Sequence, residues 1–137
     1  SNIDAFKGFP RGPLGLVTPD SLDWFGPADK AGQAARFAWP AALPEVSILY
    51  CYAGMGPAPV AQALGHGARG IVLAGMGQGN APGSVLDALE RAAGNGVAVV
   101  RASRVDDGSV DRNVEVDDDA RLFLAARRLN PPKARIL

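Results

Sequence analysis

The sequence predicts an α/β domain: a three-layer parallel sheet with helices on both faces, preceded by a Gly/Pro-rich arm. Three observations predict it. From Val46 onward, short apolar runs rich in β-branched residues alternate with segments of helical spacing. Those runs are apolar throughout rather than alternating, which suits strands covered on both sides. Six of the eleven prolines fall within the first 44 residues, so that stretch follows a different grammar. The expected organisation is an arm and linker over residues 1–44, in which Ser1-Asn2 reads as a cloning scar, and a parallel α/β domain over 45–137.

The elements follow in order. "GFPRGPLGLVTPD" is turn-rich and has room for a short edge strand near Leu14 to Val17. "FGPADKAGQAARFAWPAALPE" reads as an irregular arm. Trp24, Phe25, Phe37 and Trp39 suggest that it packs against something. "VSILYCY" has the β-branched and aromatic content of a buried strand. "PAPVAQALGHG" reads as a short helix, with Pro57 and Pro59 in its first turn and Gly65 or Gly67 at its end. "GIVLAG" is a second buried strand. In "SVLDALERAAGNG", Val85, Leu86, Leu89, Ala92 and Ala93 fall on one helical face. Ser84 with Asp87 reads as a weakened capping box, and Gly94 or Gly96 as the stop. "VAVVRAS" is a third buried strand. "DDARLFLAARRLNPP" reads as a final helix stopped by Pro131, and "KARIL" as the opening of another.

Composition excludes several classes of function. The 137 residues are 47% apolar and 20% charged, ordinary values for a globular domain. Lys+Arg and Asp+Glu number 14 each, so the net charge is zero, which argues against a nucleic-acid binder. No apolar run approaches the length of a membrane span. Cys51 and His66 are the only cysteine and histidine, so an internal disulfide is impossible and a Cys/His zinc site lacks ligands. Cys51 reads as a buried inert thiol and His66 as a helix-end residue.

Ligands of such sheets bind at the carboxyl ends of the strands. Three loops meet there: "AGMGPAP", "GMGQGNAP" and "SRVDDGSVDRNVEVDD". Gly75, Gly77 and Gly79 suggest a dinucleotide fingerprint, but its spacing would need glycine at position 80, where Asn80 stands. A ligand-cradling loop and a tight turn that only glycine can follow are both open readings. The acidic run Glu115, Asp117, Asp118, Asp119 could be a metal site, a general base, or a solvated face in which Asp118 or Asp119 caps the last helix. It lacks the calcium-loop pattern. The one threonine is Thr18, and no serine stands in G-x-S-x-G. No complete hydrolase site is present.

Taken together, "GPLG" (12–15), "LPEVSILYCY" (43–52), "GIVLAGMGQGN" (70–80), "AVVRASRVDDGSV" (98–110), "EVDD" (115–118) and "LNPPKARIL" (129–137) closely resemble the C-terminal domain of bacterial-type L-asparaginases, the asparaginase/glutaminase family. The resemblance runs from about Phe6 to Leu137. Gln78, Ala102 and Pro132 stand where relatives often carry asparagine, serine and glutamine. Gln78 leaves the preference between asparagine and glutamine open.

The resemblance implies a flavodoxin-like fold and hydrolysis of L-asparagine to L-aspartate and ammonia without cofactor or metal. The family's threonine nucleophile and its partners lie in T-G-G-T and G-T-D-T motifs of an N-terminal domain. Neither motif occurs here, so no catalytic residue is assigned to this chain. The resemblance further implies that Asn80 and Glu115 bind substrate in the active site of a neighbouring subunit, supported by the loop of Gly75, Gly77, Gln78 and Gly79. A homotetrameric parent is implied as well. Its compartment, bacterial cytoplasm or periplasm, stays open. Two competing readings use the same loops: a non-catalytic small-molecule-binding α/β domain, and a protein-interaction module.

Overall fold

A computed structural model describes residues 15–24, 40–105 and 108–136. The chain divides into two compact units, Ser1–Ala41 and Ala42–Leu137. In the first, strands β1 (Gly15–Val17) and β2 (Leu22–Trp24) form an antiparallel hairpin. The turn is held by Thr18, whose Oγ1 accepts the backbone N–H of Asp20 and of Ser21. The expected edge strand is thus present, with a partner that the sequence did not reveal. Most of the arm, including Phe25, Phe37, Trp39 and the Ser1-Asn2 pair, lies outside the described residues.

The second unit is built on a four-stranded, wholly parallel sheet in the order β3 (Val46–Tyr50), β4 (Gly70–Gly75), β5 (Ala98–Ser103), β6 (Phe123–Ala125). Every residue of β4 is buried, as expected of a strand paired on both sides and covered on both faces. The pleat sends alternate side chains to opposite faces. Ile71 and Leu73 join one core, with Val60 and Ala63 of α1 (Ala58–Gly65) and Val85, Leu86 and Leu89 of α2 (Gly83–Gly94). Val72 and Ala102 join the other, against Ala134 of α4 (Pro131–Ile136). Burying each of the large aliphatic side chains stabilises the fold by about 1.5–3 kcal/mol.

Helices α1 and α2 end alike. Gly67 and Gly96 both have φ +84°, and the chain reverses there through hydrogen bonds from Ala68 N to Ala63 O and from Val97 N to Ala92 O. His66 is the exposed residue at the C-cap of α1. Cys51 is buried, and burial raises the pKa of its thiol.

Four local expectations are corrected. The predicted capping box at Ser84 and Asp87 does not form: α2 begins at Gly83 after Pro82, with no side-chain cap. The acidic cap is Asp117, which accepts the N–H of Ala120, while Asp118 is buried instead. The long final helix is also replaced. Helix α3 covers only Asp118–Arg121 and ends where Leu122 turns left-handed at φ 60°. Phe123–Ala125 then pairs with β5, which gains more from sheet hydrogen bonds and burial of Phe123 than an isolated helix would offer. Pro131 starts a helix rather than stopping one: Asn130 Oδ1 accepts the N–H of Lys133, and proline at the first helical position loses no intrahelical bond.

Candidate functional site

The carboxyl ends of β4 and β5 place two loops side by side. Leaving β4, the chain closes a tight loop in which Met76 and Asn80 exchange backbone hydrogen bonds of 2.8 Å in both directions. Gly77, at φ +51°, and Gly79, at φ +79°, make the reversal. Gly75 is required for a different reason. A Cβ there would stand 2.3 Å from the carbonyl carbon of Gly79. The loop therefore satisfies the tight-turn reading, and it also borders a cleft.

Asn80 leaves this loop with its side chain fixed at both ends. Its Oδ1 accepts the N–H of Ala81 at 2.8 Å, and its Nδ2 donates to Glu115 Oε2 at 3.4 Å. The second bond spans 35 residues of sequence and joins the glycine loop to the acidic loop. Both residues line an open cleft of about 520 Å³, together with Ala53, Gly54, Met76, Gly77, Gln78, Ala81 and Pro82. Among the described residues that line it none is lysine or arginine, and Glu115 is the one that carries a formal charge. An exposed carboxylate with acceptor capacity beyond one amide bond can take the N–H groups of a small cation.

Gln78 serves partly as structure. Its Oε1 accepts the N–H of Asp111, again linking the two loops. Among the described residues, no group of three His, Cys, Asp or Glu is placed to hold a metal ion. The other members of the acidic run have other partners. Asp119 is held by Arg112 and by Asn113, whose side-chain amide and Arg112 keep its carboxyl below the usual range. Thr18 is engaged in the turn of the hairpin.

Sequence reasoning missed the residue around which these loops are organised. Arg101 of β5 is fully buried and makes a bidentate ion pair with Asp118, at 2.5 and 2.7 Å. It also donates to the carbonyls of Gln78, Gly79 and Asp111. The available signal was a lone arginine in an otherwise apolar strand. A buried charge there must be paired, and the acidic run at 115–119 was one of the candidate partners.

Residues 45–137 match the family described as Glutaminase/Asparaginase C-terminal domain. The chain is 40% identical over 140 residues to L-asparaginase 2 of Escherichia coli (strain K12), a match covering 100% of the chain and 40% of that protein. It is 38% identical over 138 residues to the glutaminase-asparaginase of Pseudomonas fluorescens biotype A, covering 98% of the chain and 38% of that protein. A third relative is the probable periplasmic L-asparaginase of Haemophilus influenzae, 47% identical over 95 residues, or 69% of the chain and 27% of that protein. The chain thus spans about two fifths or less of the length of these curated relatives.

Proposed function

Because this chain belongs to the glutaminase/asparaginase C-terminal domain family, we propose that it completes the substrate site of an L-asparaginase, an amidohydrolase that converts the side-chain amide of L-asparagine and water into L-aspartate and ammonia. Glu115 accepts the substrate's α-ammonium in a charge-assisted hydrogen bond. Asn80 hydrogen-bonds the substrate and the catalytic domain of a neighbouring subunit. That catalytic domain supplies the nucleophile, and this chain supplies recognition and assembly surface. Glutamine is the second substrate of this reading. The observation that carries it is the 3.4 Å contact between Asn80 and Glu115 on one cleft, where Glu115 is the charged residue among the described lining.

Glu115→Gln in the whole enzyme keeps the shape and removes the charge. A hydrogen bond to a charged group contributes about 1.5–3 kcal/mol, so kcat/KM for asparagine should fall about 10- to 150-fold. A substrate amide without the α-amino group should be hydrolysed equally by both forms. Equal losses on the two substrates would mean damage to the fold and would sink the assignment.

A further inference from the structure

Strand β5 presents two polar side chains, Arg101 and Ser103, on the face that also carries Val99 into the core beneath α1 and α2. Both are buried, and both point at the glycine loop. Ser103 Oγ donates to the carbonyl of Gly77 at 2.6 Å. Arg101 Nη1 donates to the carbonyls of Gln78 and Gly79 at 2.9 and 3.3 Å. Three successive carbonyls are therefore drawn toward β5, and the next residue is Asn80. Arg101 also holds the acidic loop on either side of Glu115. Its Nη2 donates to the carbonyl of Asp111, and its Nε and Nη2 donate to Asp118, whose Oδ2 in turn accepts the N–H of Asn113. An arginine has five N–H groups, and each has an acceptor here.

We propose that Arg101, assisted by Ser103, is the positioning residue of this rim, fixing the glycine loop and the acidic loop to each other so that Asn80 and Glu115 stand in register. Its consequence for substrate rests on the reading of those two residues given above. The ion pair alone does not account for the arrangement. A buried ion pair is commonly replaced by apolar residues of similar volume without loss, because desolvation offsets the attraction. What an apolar pair cannot do is direct carbonyls of two separate loops. Lysine cannot do so either, since its three donors leave one point and do not form a planar fork.

The test compares the chain with three variants: Arg101→Met combined with Asp118→Leu, Arg101→Lys, and Ser103→Ala. The readout is the coupling of the rim: Glu115→Gln added to the unaltered chain should shift the side-chain amide resonances of Asn80 through their hydrogen bond, and the same change is added to each variant. The double variant should remain folded, with a melting temperature near that of the parent, and lose this coupling. Arg101→Lys should not restore it. Persistence of the coupling in the folded double variant overturns the proposal. If that variant fails to fold, Ser103→Ala decides, since it leaves the buried ion pair untouched: weakened coupling supports the proposal, and unchanged coupling overturns it. In the whole enzyme, the same loss of register should lower kcat/KM by about 100-fold, the scale of a small misplacement. Lost coupling with full activity would leave the positioning role standing and remove the substrate-binding role of Asn80 and Glu115.

Discussion

At Gly75 the backbone of the glycine loop passes so close that no side chain fits. The atoms a Cβ would meet belong to the backbone of Gly79, at 2.3 to 2.6 Å, and cannot rotate aside. Gly83, at the start of α2, has nothing within 4 Å of the same imagined atom. The two glycines should therefore respond oppositely to alanine. Gly75→Ala is expected to destabilise the fold by about 1–3 kcal/mol through overpacking. Gly83→Ala should stabilise it by about 0.4–1 kcal/mol, because the unfolded chain loses freedom that the helix never used. Urea denaturation with unchanged slopes measures both, and equal midpoints for the two variants would refute the distinction. The same reasoning explains why "GMGQGN" resisted interpretation as a spacing motif: Gly75 answers to a close backbone approach, and Gly77 and Gly79 to positive φ.

Helix α3 and the loop before it show how a short element is held by polar contacts rather than burial. Four residues cannot form a stable helix alone. Asp117 caps it, Asp118 anchors it to Arg101, and Asp119 gathers Arg112 and Asn113 on the outside. The carboxyl of Asp119 titrates below its ordinary value, first because of the Asn113 amide and then because of Arg112. Folding thus favours its ionised form. That contribution is fully present above the unfolded carboxylate value of about 3.9 and disappears as pH falls through the lower folded value. The Asp119 N–H donates to Asn113 Oδ1, so its protection from exchange, measured relative to the intrinsic rate, should fall below about pH 4. Asp119→Asn should remove this acid-induced step while leaving exchange in β4 untouched; an identical acid response in the variant would refute the assignment.

Across the whole second unit, the two ends of the sheet are its open sides. Among the described residues, β3 and β6 each pair with one neighbour only. They carry exposed Tyr50 and Leu124, and Tyr52 and Leu122 lie exposed beside them. Unpaired strand edges with apolar side chains readily take up another chain. We expect the occupant to be a second copy, in keeping with the proposal that this domain completes the site of a neighbouring subunit. Sedimentation should show mass rising with concentration, and Leu124→Lys, which places charge on the β6 edge, should suppress it if that edge is used. A strictly monomeric mass at every concentration would count against it.

The elements whose information is local were readable from the chain alone. The apolar runs at 46–50, 70–75 and 98–103 become parallel strands, and the apolar face of 83–94 is buried. Loop chemistry brought Asn80 and Glu115 forward as candidates, although their roles came from family resemblance. What the chain could not disclose depends on partners distant in sequence. Residues 123–125 carry no stronger strand signal than helix signal, and it is β5, already in place, that recruits them as a fourth strand. Pro131 reads as a stop or a start, and the fold makes it a start, with Asn130 accepting the N–H of Lys133. Arg101 looked like one charge in an apolar run. Only when β5 lies beneath two loops do its five donors meet acceptors 10 to 23 residues away and bring the rim together. Periodicity and turn chemistry are written within a few residues, whereas pairing of strands and satisfaction of a buried charge are properties of the assembled fold.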